Sequence, residues 1–263
     1  MNVSFAGLTD VGESRDHNED GFLIFDLGTG QELHEPGVGH PLAQRPILLG
    51  VSDGMGGASA GEVASALTLE TLRKHATEAM SRLGGLDTQG LEAWLAEGIH
   101  QANFRVLEKG RQSALTQGMG ATATVGLFFP GAVVLAHVGD SRAYHLRDGR
   151  FLQVTTDQTL VGKLLAEGHL TPAEAEVHEQ RHMLLQAVGS KEHLEVESLT
   201  VTLQSGDRLL FCSDGLYDLV SDEAIAGTLA GVGGPLAQCR SLVTAANSLG
   251  GFDNSTVIIL HVD

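Results

Sequence analysis

The chain has 263 residues, 42% of them hydrophobic, enough for a sizeable core and too apolar for a disordered segment. Its 16 Lys and Arg stand against 33 Asp and Glu, a formal charge of −17. That balance argues against a nucleic acid or an anionic membrane as partner and favours a metal cation or a basic peptide. The two cysteines, Cys212 in an apolar run and Cys239 on a helix face, have no second Cys or His at zinc-ligand spacing and read as reduced core residues of a cytoplasmic protein. The N-terminus carries no signal-peptide pattern, and no run approaches the ~18 apolar residues of a membrane helix.

In chain order, residues 3–8 and 21–27 predict strands, separated by a charged segment. Residues 28–45, polar and rich in Gly, Pro and His, predict a long surface hairpin loop before the buried strand that ends at Asp53. A helix is expected from a Ser59 cap to about Arg82. A second is expected with Leu91, Leu95, Ile99, Ala102 and Val106 on one stripe, ending near Gly110. Residues 118–155 predict an antiparallel meander with turns at Pro130-Gly131 and Asp148-Gly149, and Gly118, Gly120 and Thr122 read as tight strand packing. Residues 157–193 are polar and helix-prone and read as a mobile flap, with His178 and His182 spaced to share a helix face. Strands at 194–203 and 207–213, helices at 221–229 and 235–249, and a strand at 255–262 complete the chain. Strands in blocks and helices in pairs predict a single α+β domain of packed antiparallel sheets covered by helices.

Three apolar strands stop at an acid: Asp53, Asp140 and Asp214. A fourth, 255–262, begins just after Asp253. In a sandwich these ends gather at one edge, where Glu19 and Asp20 could join them. Two like charges ~4 Å apart cost about 4 kcal/mol at an effective dielectric near 20, so such a cluster calls for a hard cation, Mg²⁺ or Mn²⁺. Arg15 could hold phosphate oxygens beside it. Taken singly, each Asp-Gly also reads as an ordinary turn, and Arg15 as a surface charge.

The segments 15–20 (RDHNED), 51–57 (VSDGMGG), 138–142 (VGDSR), 212–218 (CSDGLYD) and 253–256 (DNST) resemble, in order, the signature blocks of the metal-dependent protein serine/threonine phosphatases. This is the type 2C family, in its short bacterial branch, and the resemblance runs from end to end. It implies a four-layer αββα sandwich with a small helical flap and a centre of two Mn²⁺ or Mg²⁺ ions, with a third, weaker site. Carried over by position, Asp53 bridges the two ions and the Gly54 carbonyl completes one. Asp214 and Asp253 bind the other, and Glu19 and Asp20 act directly or through water. Asp140 with Asp214 holds the third ion, and Arg15 binds phosphate. The implied reaction is in-line attack of a metal-bridging hydroxide on phosphoserine or phosphothreonine, without a covalent intermediate. The implied partners are phosphorylated proteins, among them a bacterial Ser/Thr kinase, and a monomer is expected.

Two departures stand out. Met55 follows Asp-Gly where animal members often place a histidine, so leaving-group protonation falls to a metal-bound water, His17 or a flap histidine. Gln158 stands where relatives usually have the His of Asp-His-Ser. His137, inside a strand, reads as a hydrogen-bonded structural residue, and Met55 as a packing or access residue. The competing readings are a catalytically silent module that binds a kinase or phosphoprotein, and a phosphatase for small molecules.

Overall fold

The computed structural model describes residues 1–56, 60–80 and 83–263, so the Ser59 cap, Gly57 and the helix end at Arg82 lie outside the described residues. The elements are β1 (Asn2–Asp10), β2 (Asp20–Asp26), β3 (Gln31–Glu32), β4 (Gly37–Pro41), β5 (Ile47–Met55), α1 (Ala60–Ala79), α2 (Thr88–Gln112), β6 (Gly120–Ala121), β7 (Ala123–Phe129), β8 (Ala132–Val138), β9 (Arg142–Arg147), β10 (Arg150–Gln153), α3 (Leu160–Ala166), α4 (Pro172–Glu176), β11 (Glu197–Thr202), β12 (Arg208–Cys212), α5 (Asp214–Tyr217), α6 (Asp222–Ala230), α7 (Pro235–Ser248) and β13 (Ser255–Val262). One sheet runs β10-β9-β12-β13-β1-β4. The other runs β11-β8-β7-β5-β2-β3, with β6 added to β5.

The alternation of side chains along each strand builds four layers. In β13, Ile258, Leu260 and Val262 enter the core between the sheets, while Val257 and Ile259 enter the core under α5, α6 and α7. In β5, Ile47, Leu49 and Val51 face the other sheet and Leu48 faces α1 and α2. Strands buried on both faces need apolar residues at every position, which is why 47–51 and 257–260 read as unbroken apolar runs. The expected α2 stripe is buried against the second sheet from Leu91 to Val106, behind an Asp87 cap that accepts from Gly90 N at 2.8 Å.

Three expectations change. Residues 28–45 are not one surface loop: β3 extends one sheet on β2, and β4 extends the other on β1, burying His40 and Leu42. The His40 ring stands edge-on to Phe5, a contact between residues far apart that no local pattern encodes, and its Nε2 lies 2.8 Å from Arg45 O within the same segment. The expected meander is two hairpins in different sheets. The β7–β8 pair belongs to one and β9–β10 to the other, and the chain crosses between them at residues 139–141, where Gly139 takes φ +110°. Finally, α4 ends at Glu176, so His178 and His182 lie in turns and share no helix face.

Phe211 is fully buried between the sheets, its ring 6.0 Å from that of Phe128. Phe211→Ala is expected to lower unfolding free energy by about 3–5 kcal/mol, read as a fall in the urea midpoint without a change in slope.

Candidate metal centre

Register alone brings two acids together, because Asp20 on β2 lies directly opposite Asp53 on β5. Directly opposed residues of an antiparallel pair have Cβ atoms about 4.5–5.5 Å apart, and like charges there repel. The β6–β7 strand next to Asp53 is interrupted at Thr122, whose hydroxyl accepts from Asp53 N at 2.9 Å while its own N donates to Asp53 O at 2.8 Å. The Ser52 hydroxyl donates to Thr122 O at 2.6 Å, so two bonds hold the Asp53 backbone and a third ties the residue before it to Thr122.

Glycines let the other walls close in. Gly54 N donates to Glu19 O, and a Cβ on Gly54 would collide with Gly61 O and Glu19 O. A Cβ on Gly61, in the first turn of α1, would come within 2.6 Å of Glu19 Oε1. Asp214 opens the one-turn helix α5 after the buried cap residue Ser213, so it does more than end a strand. Ser213 donates its hydroxyl to Asp20 Oδ2 at 2.6 Å and accepts from Thr256 N at 3.0 Å, tying the Asp20 and Asp214 strands to β13.

Asp253 accepts from Arg15 Nη2 at 2.6 Å and from Asn254 N at 2.8 Å. Asn254 is a knot: its Oδ1 accepts from Glu19 N at 2.8 Å, and its Nδ2 donates to Val11 O and His17 O, both at 2.9 Å. Asp140 follows the Gly139 corner and its carbonyl accepts from Tyr217 OH at 3.0 Å. Behind that corner His137 is fully buried, with Nε2 donating to Gly139 O at 3.0 Å and Nδ1 2.9 Å from Thr124 Oγ1, and burial lowers its pKa.

The result is a cavity of 260 Å³ lined by Arg15, Glu19, Asp53, Gly54, Asp140, Asp214 and Asp253, with Asp20 behind Asp53. Every acid that the sequence singled out gathers here, together with Arg15. Burial, followed by the charges of Asp214 and Asp253, raises Asp20 to about 7 against the pull of Ser213 and Thr256. Burial, then Asp218 and Asp253, raises Asp214 to about 6. Asp53 is pushed well up by burial and by Asp20, and Asp140 by burial and by Asp214. Burial likewise raises Glu19, whose Oε1 is buried with no hydrogen-bond partner among the described residues.

The other predicted residues divide between the cavity and the rest of the molecule. Met55 and His182 line the cavity, whereas His17 does not. His182 stands 3.9 Å from Asp214 and 3.5 Å from Asp218, and single ligand atoms of these three lie within 4.8 Å of one another. Asp218 was passed over in the sequence, although its spacing of four from Asp214 places both on one helical face. Ser213 and Asn254 lie inside the motifs and carry no signal of their own, and Thr122, read as tight strand packing, also holds the Asp53 backbone.

A family description, protein phosphatase 2C, matches residues 39–251. The chain is 34% identical over 262 residues to protein phosphatase PhpP of Streptococcus pneumoniae, covering 97% of this chain and 96% of that one. The structure resembles the S. agalactiae serine/threonine phosphatase with a TM-score of 0.86 and 31% identity, covering 99% and 100% of the two chains. It also resembles the catalytic domain of the serine/threonine protein phosphatase PstP in complex with two manganese ions, with a TM-score of 0.80, 32% identity and full coverage of both chains.

The raised carboxylates set a sign for pH dependence. Between the ordinary carboxylate value and the raised one, the native state binds more protons than the unfolded chain, so stability falls as pH rises. With chelator present, the melting temperature is expected to drop between about pH 4 and pH 7, the range spanned by Asp20 and Asp214. Added Mn²⁺ should reverse the drop most strongly at the alkaline end. A chelated protein that melts at one temperature across this range would contradict the charge assignment.

Proposed function

The chain belongs to the protein phosphatase 2C family, and we infer that its acidic pocket is where it removes phosphate from phosphoserine and phosphothreonine in proteins. The observation that supports this most is the gathering of six carboxylates and one arginine in a single cleft at one end of the two sheets. The donor set fits hard divalent cations: it offers oxygen atoms, one of them Glu19 Oε1, which has no hydrogen-bond partner among the described residues, and burial, with the charges of neighbouring acids, raises Asp20 to about 7 and Asp214 to about 6. Asp20, Asp53, Asp253, Asp214 and the Gly54 carbonyl would hold two such ions, with Glu19 direct or through water. Asp140, Asp214 and Asp218 would hold a weaker third. Bound there, Mn²⁺ or Mg²⁺ supplies an activated water and neutralises phosphoryl charge.

The chain's own groups do the rest. Arg15 offers a planar fork to two phosphoryl oxygens and orients the substrate. His182, on the flap and at the cavity wall, is placed to give a proton to the departing Ser or Thr oxygen, which His17 is not. Cysteine chemistry is closed: Cys212 and Cys239 are fully buried, and burial pushes both thiols up, Cys239 to about 12. Free, buried thiols also support a reducing compartment, the cytoplasm, and no helix among the described residues is long and apolar enough to cross a membrane. There a Ser/Thr kinase and its targets are the expected phosphoprotein partners.

The test is turnover of an aryl phosphate and a phosphothreonine peptide. Activity is expected only with Mn²⁺ or Mg²⁺. Asp53→Asn is expected to lose on the order of a hundredfold or more in kcat/KM, and Arg15→Ala roughly tenfold, mostly in KM. Turnover under strict chelation, or an undiminished Asp53→Asn, would overturn the reading. A preference for nucleotides over the peptide would favour a small-molecule phosphatase.

A further inference from the structure

We propose that Gln158 is a positioning residue that aims Asp140 from the root of the flap, an inference that rests on the reading of Asp140 as a cation-binding acid. Gln158 uses every polar group it has. Its N donates to Gly139 O at 2.8 Å, and its side-chain Oε1 accepts from Gly139 N at 3.0 Å. Both backbone groups of Gly139 are thereby held by one residue. The remaining amide donor, Nε2, reaches Glu195 O at 3.2 Å, and the Gln158 carbonyl accepts from Leu185 N at 2.8 Å.

These bonds connect three places. Leu185 belongs to the returning end of the flap, where Thr159 pairs with Leu184 and Leu160 N donates to Met183 O at 2.8 Å. Glu195 lies just before β11, the strand that pairs with β8. Gly139 is the corner at which the chain leaves β8 for the other sheet, and Asp140 is the next residue. The corner is tight: Gly139 sits at φ +110°, and a Cβ there would meet Thr122 Cγ2 at 2.6 Å. With the Asp140 carbonyl pinned by Tyr217, Gln158 fixes the preceding peptide, and the two together set the direction in which the Asp140 carboxylate leaves the backbone. A neutral amide does this without adding charge beside Asp140 and Asp157, whereas a lysine or glutamate would add one.

The test is a double-mutant cycle between Gln158→Leu and Asp140→Ala, backed by amide hydrogen exchange in the chelated protein. Gln158→Leu removes both side-chain bonds at similar size, and Gln158→Met serves in its place should the leucine variant not fold. In the chelated protein the Gly139 amide is expected to exchange at least about tenfold faster. With Mn²⁺, kcat on an aryl phosphate should fall about tenfold with little change in KM, and Gln158→Leu should cost almost nothing further in the Asp140→Ala background. Gln158→His, whose ring nitrogen can accept from Gly139 N, should recover most of the loss at pH 8. Additive losses, wild-type turnover by Gln158→Leu, or histidine no better than leucine would overturn the proposal. Wild-type turnover by Asp140→Ala would remove the reading of Asp140 and this inference with it, while leaving the phosphatase assignment standing on Asp53.

Discussion

Asp20 and Asp53 face each other across two hydrogen-bonded strands, with Asp214 and Asp253 close enough to raise the pKa of Asp20. A flexible chain would relieve that repulsion by turning the side chains apart. Here β2 and β5 are interior strands of a sheet packed on both faces, so moving either would open buried apolar surface at roughly 25 cal/mol per Å². The four-layer core thus stores an unfavourable charge arrangement at its edge, as an active site often does.

Holding acids without neutralising them requires neutral hydrogen-bonding partners, and that is what surrounds them. Ser213 and Thr122, each almost fully buried, and the Asn254 amide supply hydroxyl and amide bonds to the acids or to the backbone beside them. None brings a charge. The one Lys or Arg among the described residues lining the cavity is Arg15, at its mouth. Close backbone approach does the remaining work, since Gly54 and Gly61 admit the Glu19 segment against the start of α1.

The sandwich was legible because its strands are buried on both faces and its helices on one, patterns that survive in the bare order of residues. The clustering of Asp53, Asp140, Asp214 and Asp253 was legible for a related reason, since strand ends in stacked sheets share an edge. What stayed hidden is what depends on distant pairing. The strands at 31–32 and 37–41 are held by partners rather than by propensity, and the crossing at Gly139 joins sheets that no local window distinguishes. Gln158 read as a missing titratable group, whereas in the fold it is a clamp on a residue 19 positions away. Asp218 was hidden because a one-turn helix is too short to produce a periodic signal.

Arg15 raises a question of magnitude, because its guanidinium is already paired with Asp253 at 2.6 Å. If that pair were strong, the arginine would be withheld from phosphate and the acid from a cation. Its side chains are 50% and 38% exposed, and pairs so open to water contribute only about 0–1 kcal/mol. A charge-assisted bond to a phosphoryl group inside the cleft is worth about 1.5–3 kcal/mol, and a bidentate fork adds a second bond. On the proposed reading the exchange would run toward substrate: Asp253 would give up a weak partner to a cation, and the freed fork would meet the phosphate oxygens. The short contact would then be a resting position that keeps Arg15 within reach of the phosphoryl group at little cost to release.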